Sequence, residues 1–283
     1  MEMVESYESF LLAQGGEEAC LDFFLRCRWP DGFRCPDCGC REAYTISTRR
    51  LPLFECARCH LQTSVTSGTV LEGTRTLLSK WLYAMRRVGD PSVGINAVQL
   101  SKLVRVTYKT AYAMLNKIRQ CLSAWQTDKL AGRIEAGLAL WGRELCGSFD
   151  LAPTQQPLAV GLACDDSDHS EKLVIMEIPR ERMNERWMDP LDVDLFKELH
   201  FASDPISQGN PVHCSRFLTK RKCPTLASVI KAGFKRINDS YHGVHPRHLF
   251  KYLAEFTFRY NSTRDGCNAL LHIVHACSSR SAA

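Results

Sequence analysis

Four cysteines in two C-x₂-C pairs constrain the fold of this chain more than any other feature. Cys35-Pro-Asp-Cys38 is followed, after seventeen residues, by Cys56-Ala-Arg-Cys59. The tight turn of each pair points two thiolates at one ion, and two such pairs complete the closed Cys₄ shell of a structural zinc site. The sequence therefore predicts one structural Zn²⁺ held by Cys35, Cys38, Cys56 and Cys59.

The chain around these cysteines has the pattern of a zinc ribbon over residues 30–73. Residues 44–54 predict two short strands around a turn, and Gly39 follows the first pair at a point where positive φ is useful. Cys40 could compete as a ligand, but it breaks the spacing. The other cysteines show no pairing and are predicted to be small buried side chains: Cys20, Cys27, Cys121, Cys146, Cys164, Cys214, Cys223, Cys267 and Cys277.

Composition excludes several classes of protein. Hydrophobic residues make up 45% and charged residues 24% of 283 residues, which is enough apolar material for a folded core. No run of about 18 apolar residues predicts a membrane span. The acidic start lacks a basic segment followed by an apolar one, so we expect no secretory signal and a cytoplasmic location, or a nuclear one in a eukaryote.

Charge is distributed unevenly along the chain. Residues 26–130 hold 17 basic and 7 acidic side chains, residues 131–213 hold 7 and 15, and residues 214–264 hold 11 and 2. The two basic segments suggest two surfaces suited to a polyanion, although ordinary solvated charge is the alternative.

Residues 74–130 have helical periodicity in three stretches, after a short helical lead-in at residues 1–29. A break at residues 89–91 and a predicted N-cap at Thr107 separate the stretches, which is the pattern of a helix-turn-helix. A plain helical bundle is the alternative. In a DNA-reading module, the start of the last helix enters the major groove and basic residues contact phosphates. The predicted DNA-facing residues are Tyr108, Lys109, Thr110, Tyr112, Lys117 and Arg119.

In residues 131–264, the spacing of apolar residues changes first to the period of two that is typical of strands and then back to helical spacing. Strands are predicted at 133–136, 157–164 and 172–178, and helices at 189–200, 225–237 and 246–260. The predicted fold class is therefore α+β or mixed, with the helices after the strands, and residues 265–283 are a short tail.

This order of elements resembles the zinc-ribbon insertion-sequence transposases of the ISXO type, which have a DDE (RNase H-like) catalytic domain and are related to the Merlin elements. The ribbon, the stretch 62–70 and the closing motifs at 241–249 and 252–261 carry the resemblance. It implies an RNase H-like α/β domain over residues 131–264, double-stranded DNA as the partner, and no membrane association. It also implies that carboxylates hold two Mg²⁺ ions for phosphoryl transfer. A homo-oligomer remains open.

The chain departs from that family at the catalytic positions. Gly137 stands where the first Asp is expected, and Asp204 is the match for the second. The third ligand is expected within residues 226–236, at Ser228 or Gly233, yet no Asp or Glu occurs from residue 205 to 238. Glu135 shares a strand face with Gly137 and is a candidate substitute. Further candidates in a turn and a loop are Asp150, Asp165 and Asp166.

We therefore expect a degenerate DDE site that supports no strand transfer and binds Mg²⁺ only if it is functional. One interpretation is a degenerate transposase homologue that binds element ends. The others are a repurposed DNA-binding regulator or accessory protein and, less favoured, a zinc-ribbon protein that binds another protein. In the DNA-binding interpretations, the second basic surface would use Lys220, Arg221, Lys222, Lys231, Lys235 and Arg236.

Overall fold

The chain divides into two compact units. Met1–Cys121 and Asn268–Ala283 form the first unit, and Leu122–Cys267 form the second. The predicted boundary at residue 130 lies close to the observed division, whereas the predicted boundaries at residues 29 and 73 fall inside the first unit. A computed structural model describes residues 5–91, 94–123, 129–142, 151–164, 171–184, 187–188, 190–202, 212–215, 218, 220–264 and 268–278.

The chain contains both helices and strands, as the hydrophobic periodicity predicts. None of the helices in the described ranges has the length and apolar character of a membrane span. In chain order the elements are α1 (Tyr7–Ala13), α2 (Gly16–Arg28), β1 (Ala43–Ile46), β2 (Leu53–Cys56), β3 (Gln62–Ser64), α3 (Leu78–Gly89), α4 (Ala97–Leu103), α5 (Tyr108–Ser123), β4 (Arg133–Trp141), β5 (Gln156–Cys164), β6 (Glu171–Glu177), β7 (Met183–Asn184), β8 (Trp187–Met188), α6 (Pro190–His200), β9 (Val212–Ser215), α7 (Pro224–Tyr241), α8 (Pro246–Arg264) and α9 (Ala269–Ser278).

In the first unit, α1 and α2 pack on α3. Both helices contribute to the core of that unit. Phe10 of α1 is fully buried, with its ring centroid 5.3 Å from that of Tyr83 in α3. The Glu17 carboxylate accepts hydrogen bonds from the backbone N–H groups of Leu78 (2.8 Å) and Ser79 (3.2 Å). These amides are otherwise unsatisfied at a helix start, so a side chain of α2 caps α3.

Two successive helices, α4 and α5, occupy the stretch where the helix-turn-helix is predicted. Asn96 caps α4 in a reciprocal capping box with Gln99, and Thr107 accepts a hydrogen bond from the Thr110 N–H (3.2 Å) as predicted for the N-cap of α5. Arg105, in the turn between them, has a φ of 51°. The side chains on the inner face of α5, including Met114 and Ile118, are fully buried.

The second unit is built on a four-stranded sheet of order β6-β5-β4-β9. β4, β5 and β6 form an antiparallel meander at the predicted positions, and β9 lies parallel to β4 on its other side. The fourth strand has no counterpart in the prediction, because four residues carry too short a pattern to distinguish it from a loop.

Helices cover both faces of this sheet. Because side chains alternate along a strand, Leu158 and Val160 of β5 pack with α7 and α8 on one face, and Ala159 packs with α6 on the other. The two faces therefore bury two separate apolar clusters.

The prediction of a tail at residues 265–283 is wrong for the central part of this segment. Residues Ala269–Ser278 form α9, which packs on α2 and α3 of the first unit. Gly89 of α3 makes this approach close, since an added Cβ would lie 3.1 Å from Cδ1 of Ile273 and 3.3 Å from Cβ of Ala269. Small and apolar residues alone did not distinguish a packed helix from a tail.

Candidate metal centre and nucleic-acid interface

The four predicted cysteine ligands lie together in the ribbon. Their sulfurs are all within 4.8 Å of one another, and the Cys35–Cys59 and Cys38–Cys56 pairs are each 3.5 Å apart. Zinc–sulfur bonds of about 2.3 Å in a tetrahedron place sulfurs about 3.8 Å apart, so these positions fit one zinc ion. Cys40 is not part of the group, which confirms the prediction from spacing.

The two halves of the site share one backbone geometry. Gly39 and His60, each directly after the second cysteine of a pair, have φ values of 72° and 59°. Their N–H groups donate to the carbonyls of Cys35 and Cys56, each at 3.0 Å. The left-handed residue turns the chain so that the thiols of each pair face the same point.

Backbone amides also favour the thiolate forms that a metal requires. The Cys59 N–H, followed by that of Arg58, lowers the pKa of Cys56 to about 6. The Cys38 N–H likewise lowers the pKa of Cys35. Hydrogen bonds to the charged form produce these two directions, whereas burial and the neighbouring thiols raise the pKa of Cys38 and of Cys59.

The ribbon strands β1, β2 and β3 form a small antiparallel sheet with little apolar interior. Phe54 of β2 packs against Trp29 and Phe33, with ring centroids 5.3 and 5.7 Å away. The Arg28 guanidinium donates to the carbonyls of Val65 (2.6 Å) and Ser67 (2.5 Å) and so joins the end of α2 to the ribbon exit. These contacts hold the metal centre against the helices of the first unit.

The start of α5 presents an exposed polar and aromatic surface. Tyr108 and Tyr112 are 58% and 42% exposed, and their rings stack at 6.2 Å. Lys109 is exposed, and Thr110 is half-buried with its hydroxyl bonded to Thr107. Four of the six predicted DNA-facing residues therefore lie at one helix end.

The other two predicted DNA-facing residues, Lys117 and Arg119, have hydrogen-bond partners inside the unit. Arg119 is only 4% exposed and donates to the Ile95 carbonyl at 3.3 Å, and the Lys117 ammonium donates to the Val70 carbonyl at 2.7 Å. Both long side chains satisfy loop carbonyls inside the unit, which the helical spacing could not reveal.

Two exposed cations that the prediction omitted shortly precede the tyrosines in sequence. Lys102 of α4 and Arg105 of the turn are exposed, and no Asp or Glu occurs from residue 91 to 127. Arg105 pairs with Glu8 at 3.0 Å in an exposed contact, which contributes little binding energy. The uninterrupted lack of acidic residues is the sequence signal that would have found them.

The position where the first catalytic Asp is expected lies on an inner strand of the sheet of the second unit. Gly137 lies in β4 and pairs in register with Ser215, the last residue of β9. A partner carboxylate for position 137 on the neighbouring strand would therefore stand at or next to Ser215. Asp204 lies outside the described residues. Phe201, three positions before it, bridges Leu130 towards the start of β4.

Glu135, the candidate substitute ligand, has a structural partner instead. Its side chain is 7% exposed, and Oε2 accepts a hydrogen bond of 2.8 Å from the Leu226 N–H in the first turn of α7. A carboxylate at this position caps an unsatisfied amide and complements the positive end of the helix. Glu135 therefore joins β4 to α7.

Neither predicted position for the third ligand provides an acidic group. Gly233 lies against the Phe256 ring, where an added Cβ would be 2.5 Å from two ring atoms. Ser228 is exposed, and its hydroxyl donates to the Pro224 carbonyl at 2.8 Å. Within the described ranges, the zinc cysteines are the one group of three or more potential metal ligands. Asp150, Asp165 and Asp166 lie outside those ranges.

On α7, Lys231 and Lys235 are exposed and Arg236 is half-buried. The three cations Lys220, Arg221 and Lys222, just before the helix, are exposed as well. The predicted second basic surface thus follows one side of α7 and its N-terminal end.

Comparison with known proteins matches the ribbon alone. Residues 15–62 match the family described as Transposase zinc-ribbon domain. The matched stretch begins just before α2 and includes both cysteine pairs. No curated protein and no solved structure matches the chain. Residues 15–62 are thus similar to the zinc-ribbon domain of transposases, and with the four-cysteine cluster this supports a transposase-family protein with a structural zinc.

Proposed function

We propose that this chain is a DNA-binding protein of the transposase family that recognises element-end DNA and has an incomplete DDE site. The observation that carries the proposal is the transposase-type ribbon at residues 15–62, with its four sulfurs grouped for one ion. The succession of α4, a short turn and α5 in the same unit, with an exposed polar start of α5, supports DNA as the partner.

The first contact surface in this proposal is the start of α5. Tyr108 and Tyr112 are exposed with stacked rings, and the exposed cations Lys102, Arg105 and Lys109 are close to them in sequence. In a helix-turn-helix, the N-terminal residues of the second helix contact base edges and the neighbouring cations contact phosphates. Tyrosine therefore contributes to sequence preference, and lysine contributes mainly to salt-dependent affinity.

The second contact surface is the basic side of α7. Lys231 and Lys235 lie one helical turn apart and are exposed, with Lys220, Arg221 and Lys222 before the helix. Because no carboxylate occurs from residue 205 to 238, no acidic side chain close in sequence neutralises this positive charge. Arg236 is half-buried and has other partners, so Lys235 is the stronger phosphate-binding candidate.

The incomplete DDE site in this proposal rests on the strand arrangement. A three-stranded antiparallel start, a parallel fourth strand and helices on both faces support a relationship to the βββ-start RNase H-like domain. The central positions of that sheet hold Gly137 and a Glu135 that caps a helix. Two-metal phosphoryl transfer needs several carboxylates in near-octahedral geometry, so we expect no strand transfer.

A repurposed regulator or accessory protein is the second candidate, favoured by the same use of Glu135 as a helix cap. Both candidates bind duplex DNA, so the location of the binding site distinguishes them. Sites within terminal inverted repeats support the transposase-family role, and sites in regulatory DNA with a transcriptional effect support the second.

DNA binding is tested with the zinc-loaded full chain and duplexes selected from a random pool. Tyr108→Ala and Tyr112→Ala should weaken binding and relax sequence preference. Lys109→Ala should weaken it on all sequences and reduce the slope of log Kd against log salt by about one. Lys197→Ala, an exposed lysine on α6, is the matched control and should change neither quantity. Failure to retain any duplex at low salt would support a protein-binding ribbon instead.

A further inference from the structure

Strand β6 is an outer strand of the sheet in the second unit. Among the described strands it pairs with β5 alone, in antiparallel register. In such a pair, the backbone N–H and C=O groups of successive residues point alternately towards the partner strand and away from it. Every second residue of β6 therefore directs a backbone donor and acceptor to the side opposite β5.

The side-chain amide of Asn261 in α8 identifies the residues of β6 that point outward. The Leu173 N–H donates to Oδ1 of Asn261 at 2.8 Å, and Nδ2 of Asn261 donates to the Leu173 carbonyl at 3.0 Å. Because these two backbone groups bond to α8, Leu173 faces away from β5. By the alternation along a strand, the backbone groups of Ile175 and Glu177 face the same way.

The second half of this edge has no such cap. The residue after β6 agrees with the alternation, since the Ile178 N–H donates to the Pro157 carbonyl of β5 at 3.1 Å. In the described part of the chain, no group outside the ladder hydrogen-bonds to the backbone of Ile175 or Glu177. Their outward N–H and C=O groups are therefore available to an added strand.

One face of α8 lies along the edge and leaves room there. Phe250, Ala254, Thr257 and Asn261 share this face, because they recur at helical spacing. Asn261 caps the first half of β6, whereas Phe250, Ala254 and Thr257 line an open groove of about 430 Å³ that also reaches Ile175. The small Ala254 and Thr257 side chains keep α8 from covering the second half of the edge as it covers the first.

The groove is mainly apolar. Leu199 of α6 and Phe250 of α8 line it and are exposed, although large apolar side chains usually pack inside a protein. Lys129 is the one Lys, Arg, Asp or Glu among the described residues that line it, and its ammonium donates to the Glu198 carbonyl at 3.0 Å. The groove thus offers an apolar surface next to unpaired backbone groups.

This combination selects the kind of occupant. Outward N–H and C=O groups on alternate residues of a strand match an extended main chain, whereas a helix has no free backbone groups along its side. A second copy of β6 is a poorer match. In the two-fold register that uses both free residues, each Ile175 would lie opposite the Glu177 carboxylate of the other copy.

We propose that the second half of the β6 edge is a docking site for an extended peptide segment of another protein. The segment adds a fifth strand beside Ile175 and Glu177, and its apolar side chains at alternate positions enter the groove between α8 and the end of α6. The inference does not depend on DNA binding, since the site uses a sheet edge and no basic surface.

The first test measures amide hydrogen exchange by NMR in the zinc-loaded full chain. In the free protein, the Leu173 amide should exchange slowly, because Asn261 accepts from it, and the Ile175 and Glu177 amides should exchange fast. The probe is the synthetic peptide acetyl-Lys-Thr-Val-Thr-Val-Thr-Lys-amide at millimolar concentration. We expect it to slow the Ile175 and Glu177 amides by about tenfold or more. Unchanged exchange at both amides would overturn the proposal.

Backbone methylation distinguishes strand pairing from apolar binding. Two versions of the peptide carry N-methyl groups on alternate sets of amides, and one edge alone of an added strand faces β6. One version should therefore lose binding while the other keeps it. Equal binding of the two versions would mean that the groove takes apolar side chains without a paired strand, which contradicts the proposal.

A variant in the groove provides the matched comparison. Ala254→Leu should fill the space beside Ile175 and weaken peptide binding by about tenfold. Leu12→Ala, which removes an exposed leucine of α1, is the control for non-specific apolar binding and should leave the affinity unchanged. If Ala254→Leu fails to fold, the methylated peptides decide the question on the parent chain. Slow exchange at Ile175 and Glu177 without peptide, in a chain that sediments as a dimer, would show that a second copy covers the edge and would overturn the proposal.

Discussion

The two metal sites that the sequence implies differ in what holds their surroundings together. In the ribbon, three short strands meet around four sulfurs, and few apolar side chains lie inside them. In the second unit, the sheet buries an apolar cluster on each face, independently of any ion. When a bound metal supplies the folding free energy, loss of its ligands unfolds the surrounding segment. A sheet that is stable without the metal keeps its fold when the metal ligands are lost. The comparison is consistent with a complete cysteine set beside the incomplete carboxylate set that we propose.

The largest expected effect is the loss of one zinc ligand. Cys56→Ser should remove the bound zinc and unfold the ribbon, because the three short strands have little other core and structural zinc sites contribute on the order of 10 kcal/mol. Metal analysis should fall from one zinc per chain to none, and the β1–β3 amides should lose protection from hydrogen exchange. Cys40→Ser, beside the site but outside it, is the control and should retain the zinc. Stoichiometric zinc in Cys56→Ser would break the comparison.

A smaller effect is expected where the third catalytic ligand would stand. Gly233→Ala should destabilise the second unit by about 1–3 kcal/mol, because the new Cβ must displace the Phe256 ring from a packed helix contact. Urea denaturation measures this change. Ser228→Ala, at the other position considered for that ligand, is exposed and should change stability by less than about 0.5 kcal/mol. Equal stability of both variants would show that the α7–α8 contact is looser than described.

The next prediction tests whether the Glu135 carboxylate caps α7 or binds a metal ion. Glu135→Ala should cost about 0.5–2 kcal/mol, because the Leu226 N–H loses its acceptor in a buried position. Glu135→Gln keeps an oxygen acceptor and should remain close to the parent chain. Thermal melts with and without Mg²⁺ are the measurement. A stabilisation by Mg²⁺ that disappears in both variants would identify Glu135 as a ligand and contradict the cap.

The smallest effect tests whether the two halves of the zinc site are equivalent. His60 has the positive φ that Gly39 has in the other half, and a side chain in that conformation costs about 1 kcal/mol. His60→Gly should therefore strengthen zinc binding by about fivefold in a competition with a chelator. Gly39→Ala should weaken zinc binding by a similar factor. The same sign for both variants would show that the two turns are not equivalent.

Elements and ligands could be predicted from the sequence where they depend on residues that are close to one another along the chain. The cysteine spacing, the Thr107 cap and the alternation in residues 157–164 each depend on neighbours within a few positions, and the structure has the predicted ligands and elements there. The start of α5 is predicted for the same reason, since helical spacing determines which of its residues share a face.

The missed features depend on partners that are distant in sequence. Arg119 is buried because the Ile95 carbonyl needs a donor, and α9 is a packed helix because Gly89 leaves room for it. The apolar pattern of residues 269–278 is compatible with either a tail or a helix, and only the matching surface on α3 decides between them.

The most direct test of the central claim is a cleavage assay on the DNA that the protein selects. The zinc-loaded full chain is incubated with labelled duplexes in Mg²⁺ or Mn²⁺, and retention and strand scission are measured in the same samples. From the proposed incomplete DDE site, we expect the duplex to be retained while both strands stay intact in either metal. Metal-dependent nicking that disappears in Asp204→Ala would show that a functional carboxylate site exists and would contradict the account.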